Sequence, residues 1–240
     1  MANFIKRSVH AERPTYDLAF RSYMVRIFAY MSAALAITGI TSYFTFASGF
    51  ITYLYLNNHI TVLGWLVTFA PVVMVMLISS NITNLNINSI RVLLSAYSFL
   101  IGLSLSSIFM VYATLEIARV FFITAILFLT MSIYGYTTKK DLTSVGSFMM
   151  MGLIGIIIAS LVNLFLRSPA IYFVTSIISI FIFIGLTAYD VQRLKDSFDY
   201  VGQDNDVRDR ASLMGALVLY MDFINLFLSL LHIFGKKEKR

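Results

Sequence analysis

The chain has 240 residues, of which 59% are hydrophobic and 12% are charged, and it contains no cysteine. The apolar share exceeds the roughly one half that is typical of soluble domains, so the composition indicates an integral membrane protein. The lack of cysteine excludes disulfides, thiol catalysis and thiolate metal sites. The net charge of +6 does not indicate a nucleic-acid partner, because the basic residues fall mostly in one alternate set of loops, as membrane topology requires.

Seven apolar stretches are long enough to cross a bilayer as helices, which takes about 20 residues each. We therefore predict an all-α integral membrane protein, a seven-transmembrane-helix bundle that occupies residues 24–235. Residues 1–23 precede it as a cytoplasmic segment, and residues 236–240 follow it as a basic tail. The predicted spans cover approximately residues 25–46, 62–80, 90–112, 117–136, 145–166, 170–190 and 212–234.

Positive charge along the chain predicts its orientation. Lysine and arginine number twelve on the side that carries the N-terminus and six on the opposite side, four of them in the tail. Cytoplasmic loops carry the excess of these residues, so the N-terminus is predicted to be cytoplasmic. Seven full crossings would place the basic tail outside, whereas a last segment that re-enters would return the tail to the cytoplasmic side. The sequence leaves both alternatives open.

Small residues within the spans predict where helices approach one another closely. Gly102 lies in the third span, and Gly152 and Gly155 lie in the fifth. Glycine lets two helix backbones come together in a membrane, where burial of apolar surface does not drive their association. We expect these positions to face neighbouring helices.

The longest charged segment, residues 191–210, links the sixth and seventh spans. It holds five acidic and four basic residues. Such a density of charge is expected to stay in water, so the segment is predicted to be a solvated cytoplasmic loop.

Two acidic residues, Asp190 and Asp222, lie inside predicted spans. No other Asp or Glu occurs between Asp141 and Asp190, and none occurs between Asp17 and Glu116. A carboxylate near the centre of a bilayer costs about 2.5 to 3.5 kcal/mol even on the lenient insertion scales, so one that is retained there usually lines a polar path or has a partner. The pair is therefore the first candidate for a functional site.

Each aspartate lies on a polar face of its own helix, because residues three and four apart share a face. Contact between the two carboxyl groups requires the cytoplasmic end of the sixth span to tilt inward or to extend, since Asp222 is about ten residues, or roughly 15 Å, into the seventh span. The sixth-span face holds Ser176, Ser179, Thr187 and Asp190, and the seventh-span face holds Gly215, Asp222, Asn225, Ser229 and His232.

Two carboxyl groups in contact cannot both ionise cheaply in a low dielectric, so Asp190 and Asp222 are expected to share a proton and to titrate as a coupled pair. Loss of that proton favours their separation or the entry of a cation, and a hard, oxygen-seeking ion such as calcium suits two carboxylates. The alternative is that each aspartate only fixes the fold by bonding to a neighbouring polar side chain.

Two enzyme classes match the chain less well. Asp190 and Asp222 on consecutive spans are reminiscent of intramembrane aspartyl proteases, in which a carboxylate pair activates water. Those enzymes carry Gly-x-Gly before the second aspartate, whereas this chain has Leu-Tyr-Met, and their Pro-Ala-Leu element has no counterpart. Ser104 with His232 could mimic a rhomboid-type dyad, but a serine near a glycine in a packed helix is commonplace. No catalytic residue is predicted.

Several separate motifs resemble the transmembrane Bax inhibitor motif family in a bacterial form. Residues 185–195 read GLTAYDVQRLK, and residues 215–227 read GALVLYMDFINLF. Residues 134–141 (YGYTTKKD) and 102–109 (GLSLSSIF) are similar to further signatures of the family. The resemblance covers nearly the whole chain, from the first span to the tail.

The resemblance implies a seven-helix membrane protein with a central last helix, a pH-sensitive calcium leak, and an aspartate pair at Asp190 and Asp222. Bacterial members also have an arginine near the end of the second span that latches the pair in the closed state. This chain has no arginine there, and Asn81 is the counterpart. We therefore expect a weaker or shifted pH gate, and a change in the pH profile when Asn81 is replaced by arginine.

The predicted function is a passive, pH-gated cation pathway across the bacterial inner membrane, without cofactors, in which calcium and protons are the partners and no nucleic acid takes part. Asp190 and Asp222 form the gate and the candidate calcium ligands; Thr187, Asn225, Ser229 and Asn81 are candidate lining or supporting residues. The first alternative is an interaction protein that restrains other membrane proteins, such as a quality-control protease. The second is proton-coupled transport of a small solute.

Overall fold

The computed structural model describes residues 2–56, 59–81, 85–201 and 204–238, with side chains from Asp17 onward except those of residues 78, 79, 81 and 201. This part of the chain is almost entirely helical, with one short antiparallel hairpin before the third helix. The elements in chain order are α1 Ala2–Ala47, α2 Ile51–Leu54, β1 Tyr55–Leu56, β2 His59–Ile60, α3 Val62–Asn81, α4 Ile87–Leu105, α5 Ile108–Val111, α6 Thr114–Thr137, α7 Thr143–Leu166, α8 Pro169–Val201 and α9 Asn205–Phe234.

Within the described ranges, six helical segments are long and apolar enough to cross a membrane, and a shorter apolar helix covers Val62–Leu77. The prediction of an all-α membrane protein is therefore confirmed, with the second predicted span represented by the shorter helix. The six long segments are Asp17–Ala47, Ile87–Val111, Thr114–Thr137, Thr143–Leu166, Pro169–Tyr200 and Asn205–Phe234.

The last long helix, α9, occupies the interior of the bundle. It packs against α8, α1, α6 and α4, and more than half of its apolar stretch is buried. Leu219, Tyr220 and Leu226 on α9 have no exposed surface. The opposite case is α7, whose main contact is α8 and on which only Gly146 is buried. Side chains on α9 are thus the ones held most firmly by their neighbours.

The prediction of a loop over residues 191–210 is wrong, because most of this segment is helical. The eighth helix continues to Val201, and α9 begins at Asn205 after a cap in which the Asp204 side chain accepts a hydrogen bond of 2.8 Å from the Asp206 backbone N–H. Apolar residues recur here three and four positions apart, at Val191, Leu194 and Phe198, which is the period of a helix with one buried face. Val191 and Phe198 are buried, so this face outweighs the charge of the segment.

The C-terminal tail lies at the end of the bundle opposite to the turn between α8 and α9. Lys237 forms an isolated bridge with Tyr112, and the backbone N–H of Glu238 donates to the carbonyl oxygen of Val111 at 3.0 Å. The helix that leads to the tail is unbroken over 30 residues. The last helix therefore does not turn back within its own length, and the side of the membrane on which the tail lies stays a prediction.

Two of the three glycines chosen from the sequence lie at close helix contacts. A Cβ atom on Gly102 would lie 2.8 Å from the Thr38 carbonyl oxygen of α1, and one on Gly152 would lie 2.6 Å from Ile182 Cδ1 of α8. The third, Gly155, has no atom within 4 Å of its Cβ position, so its prediction is wrong.

Candidate functional site

Asp190 on α8 and Asp222 on α9 lie side by side, with their carboxyl groups within hydrogen-bonding reach of each other. Their exposed fractions are 9% and 6%. The two helices run antiparallel on either side of a short turn, and α8 extends eleven residues beyond Asp190 before it ends at Val201. Contact between the two aspartates was expected to require that the sixth span tilt inward or extend, and the structure shows the extension.

The carboxyl group of Asp222 has an unsatisfied oxygen. Its Oδ2 atom is buried and has no hydrogen-bond donor among the residues that the structure describes. Ionised carboxylates only accept hydrogen bonds, so two of them in contact repel unless a proton lies between them. Arg193, one turn beyond Asp190, acts on that residue through its charge, but its side chain is exposed. The arrangement is suited to hold one proton between two carboxyl groups.

Two glycines bring α6 and α7 onto the turn of α8 that precedes Asp190. A Cβ atom on Gly135 of α6 would overlap the carbonyl oxygen of Ala188, and one on Gly146 of α7 would overlap the ring of Tyr189. Any larger residue at these two positions would push its helix away from α8. Neither glycine was identified from the sequence, because only the packing shows which neighbour each one meets.

Three other predicted residues, Thr187, Asn225 and Ser229, lie one turn from the pair or further along the chain, and each is bonded within its own helix. Thr187 is fully buried and donates to the Phe183 carbonyl oxygen at 2.7 Å. Ser229 is buried and donates to the Asn225 carbonyl oxygen at 2.8 Å. Asn225 is exposed, and its Nδ2 donates to the Met221 carbonyl oxygen at 2.8 Å.

A groove of about 740 Å³ runs between α7, α8 and α9. Phe183 and Asn225 are the lining residues of α8 and α9 that lie nearest to the pair along the chain, and Asp222 lies one helical turn from Asn225. Part of each polar face predicted for the sixth and seventh spans therefore lines one shared space, whereas Thr187 and the two aspartates do not line it. Its polar lining consists of Ser160, Asn163 and Arg167 from α7, Thr175, Ser176 and Ser179 from α8, and Asn225, Ser229 and His232 from α9, together with the hydroxyl of Tyr172.

The outer end of this groove holds a histidine that was considered as a catalytic partner. The Nε2 atom of His232 is hydrogen-bonded to the hydroxyl of Tyr172, and the two ring centroids are 4.7 Å apart. Ser104 donates instead to the Val67 and Leu100 carbonyl oxygens, at 3.0 and 3.1 Å. The structure thus does not bring Ser104 and His232 together as a dyad.

The sequence did not predict that another carboxylate of α9, Asp209, connects this helix to two others. It forms ion pairs with Arg26 of α1 and, at 3.7 Å, with Arg91 of α4. The guanidinium of Arg91 also lies 5.7 Å from the centre of the Tyr30 ring. The sequence gives no signal for this cluster, because Asp209 sits in a segment with four other acids. We refer to Asp209, Arg26 and Arg91 as the arginine clamp.

The position that replaces the expected latch lies at the edge of the described part. Asn81 is the last residue of α3, and its side chain lies outside the residues that the structure describes. Its predicted supporting role therefore stays a prediction. Within the described ranges, no group of three or more His, Cys, Asp or Glu side chains is arranged to hold a metal ion. Asp190 and Asp222 offer four oxygens, whereas calcium takes six to eight.

Comparison with known proteins identifies the family. A family profile described as "Inhibitor of apoptosis-promoting Bax1" matches residues 20–239. The chain is 40% identical over 228 residues to the uncharacterized protein RP147 of Rickettsia prowazekii, with 95% of each chain covered. It is also 40% identical over 223 residues to the inner membrane protein YbhL of Escherichia coli K12, which covers 91% of this chain and 93% of YbhL.

An uncharacterized protein of Borreliella burgdorferi is 41% identical over 217 residues, with 90% of this chain and 92% of the relative covered. The profile match includes both Asp190 and Asp222, and the profile and the relatives together confirm the family that the motifs indicated. The chain is therefore a multi-pass membrane protein that belongs to the Bax inhibitor family.

Proposed function

We propose that this protein is a pH-gated cation pathway, with calcium as the permeant ion and the pair Asp190 and Asp222 as the gate. The observation that carries the proposal is the contact between two buried carboxyl groups on α8 and α9, with Asp222 one helical turn from Asn225, which lines a groove between α7, α8 and α9.

The gate works through the proton that the two carboxyl groups share. While the proton is present, the hydrogen bond between Asp190 and Asp222 holds α8 against α9. Once it leaves, two like charges face each other in a low dielectric, and they either separate or admit a cation. Flux is therefore expected to rise as pH rises through the titration of the pair. Calcium would stop there briefly and keep several waters, because the pair supplies too few oxygens for tight binding.

The pathway requires the protein to cross the membrane completely. We propose seven crossings, with the shorter helix Val62–Leu77 as the second and the N-terminus in the cytoplasm. The excess of lysine and arginine at the N-terminal end of the bundle supports this orientation. The E. coli relative is an inner membrane protein, and we assign this chain to the same membrane.

The test is calcium flux into proteoliposomes that contain the purified protein. We expect flux to depend on pH for the natural chain between about pH 5.5 and 8, and to lose that dependence when Asp190 and Asp222 are both replaced by asparagine, because an amide cannot titrate in this range. Liposomes without protein give the background. Flux at background level from folded protein, at every pH, would rule the pathway out.

A second function is supported by the outer surface of α7. This helix buries only Gly146 fully. Met149, Leu153 and Ile156 are half-buried against the core, but most of its other apolar side chains are exposed and could pack against another membrane protein. We would then expect the chain to restrain a partner such as a quality-control protease, with the aspartates serving only the fold. Removal of residues 1–14 that abolishes the cellular effect but leaves calcium flux intact would favour this function over the first.

A further inference from the structure

A second groove lies on a different side of the bundle, between α1 and α6. The two helices make their main contacts elsewhere, α1 with α4 and α9, and α6 with α8 and α9. The space that they leave measures about 630 Å³, and its floor is formed by Phe223, Ile224 and Phe227 of α9. Among the residues that the structure describes, no charged side chain lines this groove. Its walls belong to two of the helices that can span the membrane, so it opens towards the lipid.

One polar atom on the wall of this groove has no partner. Ser42 of α1 is 3% exposed, and its Oγ atom lacks a hydrogen-bond partner among the described residues. Thr38, one turn earlier, is fully engaged: its hydroxyl bonds to the Ala34 and Ser98 carbonyl oxygens at 3.0 Å and to the hydroxyl of Tyr220 at 2.7 Å. A buried hydroxyl without a hydrogen-bond partner lowers stability. We therefore infer that the Ser42 hydroxyl donates to a ligand that offers a hydrogen-bond acceptor.

The groove continues along α1 over a glycine. A Cβ atom on Gly39 would meet no atom within 4 Å, so the space remains open beside the helix backbone. The lining residues of α1 run from Phe28 to Tyr43, which is about 22 Å along the helix axis at 1.5 Å per residue. One leaflet of a hydrocarbon core is roughly 15 Å thick. A lipid chain can therefore lie in the groove along its whole depth.

We propose that this groove binds one acyl chain of a membrane phospholipid, with an ester carbonyl oxygen accepting the hydrogen bond of the Ser42 hydroxyl. Ser42 lies five residues before the end of α1 at Ala47, near the membrane surface, where the ester groups of lipids are found. The chain then runs inward past Gly39 towards Phe28. An uncharged, aromatic-rich lining excludes an ion or a water-soluble anion as the ligand and favours an aliphatic chain.

Such a lipid would touch the helix that carries the gate. Phe223, on the floor of the groove, directly follows Asp222 in the chain, and its ring packs against those of Phe121 and Phe128 on α6. The bound chain therefore stabilises the position of this turn of α9. Binding of the lipid does not depend on whether the protein conducts ions.

The test uses the full chain reconstituted in phosphatidylcholine vesicles that contain a small fraction of a phospholipid with a photoreactive group in its acyl chain. After illumination, mass spectrometry of peptides locates the label. We expect label on the groove faces of α1 and α6, and a several-fold loss of it in Gly39→Leu, which fills the open space. The matched control is Gly155→Leu, because Gly155 also has nothing within 4 Å but lies on α7.

Two further measurements keep the test decisive if Gly39→Leu does not fold. Ala36 also lines the groove, and Ala36→Leu is expected to reduce labelling in the same way. An ether-linked lipid lacks the ester carbonyl, so it should label the natural protein more weakly than the ester lipid does. The ester lipid should label Ser42→Ala equally weakly. Labelling of Ser42→Ala by the ether-linked lipid should be no weaker than either of these. Equal label on α7 and on the groove, or equal labelling of Gly39→Leu and Gly155→Leu, would overturn the proposal.

Discussion

Two carboxylates on the same helix, Asp209 and Asp222, are satisfied in opposite ways. Asp209 lies near the end of the bundle, where Arg26 and Arg91 surround it with positive charge. Asp222 lies thirteen residues further, about 20 Å along the axis, where its neighbour is the like-charged group of Asp190. Ion pairs with two arginines satisfy the first carboxylate, whereas a carboxylate beside another carboxylate is satisfied only by a proton between them. A change in salt concentration should therefore alter the interaction of Asp209 with its arginines, and a change in pH should alter the interaction of Asp222 with Asp190.

The largest effect is expected from single substitutions in the buried pair. In Asp222→Asn, the new amide can donate a permanent hydrogen bond to Asp190, so the pair no longer needs a proton and calcium flux loses its dependence on pH. Asp190→Asn should do the same from the other side. Flux into proteoliposomes across the pH range measures this.

Asp209→Asn is the matched control for these variants, because it removes a carboxylate from the same helix without touching the pair. Its flux should keep the pH dependence of the natural protein. If Asp209→Asn abolished that dependence and Asp222→Asn did not, the roles assigned to the two regions would be reversed.

Packing around the pair should be sensitive to a single methyl group. Gly135→Ala places a Cβ atom onto the Ala188 carbonyl oxygen and pushes α6 away from α8, which should destabilise the protein by about 1 to 3 kcal/mol. Gly155→Ala, with open space at its Cβ, should leave stability unchanged. Unfolding of both variants in the same detergent gives the comparison, and equal stability of the two would show that α6 and α8 do not meet as closely as described.

The sequence predicted most of the helices and singled out Asp190 and Asp222 as acids within predicted spans, because both inferences depend on local signals. Apolar stretches of sufficient length mark the spans, and acids are so rare within them that Asp190 and Asp222 stand out. The groove faces of α8 and α9 also follow from helical periodicity, as the shared lining of Ser179 and Ser229 illustrates.

Contacts between distant parts of the chain could not be predicted. Gly135 and Gly146 look like any other glycine in a span until the neighbour that each one meets is known. The ion pair between Arg26 and Asp209 joins residues 183 positions apart. The segment after Asp190 was predicted to be a loop for a different reason: its charge was given more weight than the buried face formed by Val191 and Phe198.

A smaller effect is expected at the arginine clamp. Its two arginines are nearly half exposed, at 45% and 44%, so water and salt screen the interaction and Asp209→Asn should cost about 1 kcal/mol of stability. This cost should shrink as salt is raised, because the Debye length falls from about 10 Å at 0.1 M to about 3 Å at 1 M. Thermal unfolding at the two salt concentrations measures it; a cost that did not change with salt would argue against an ion pair.

The smallest effect is expected from Thr187→Val. The hydroxyl of Thr187 bonds to the Phe183 carbonyl oxygen of its own helix, and valine has the same shape, so stability should fall by no more than about 1 kcal/mol. If Thr187 lines the pathway once the gate is open, calcium flux should fall while its pH dependence remains. Unchanged calcium flux would show that Thr187 does not line the pathway.

The most direct test is to detect the proton that Asp190 and Asp222 share. Infrared difference spectroscopy of the protein in lipid, recorded while the pH is raised, detects the carbonyl band of a protonated carboxyl group. We expect such a band to disappear with rising pH in the natural protein and in Asp209→Asn, and to be missing at every pH when Asp190 and Asp222 are both asparagine. A band that persists in the double variant, or that never appears in the natural protein, would contradict the assignment of the pair as a proton-controlled gate.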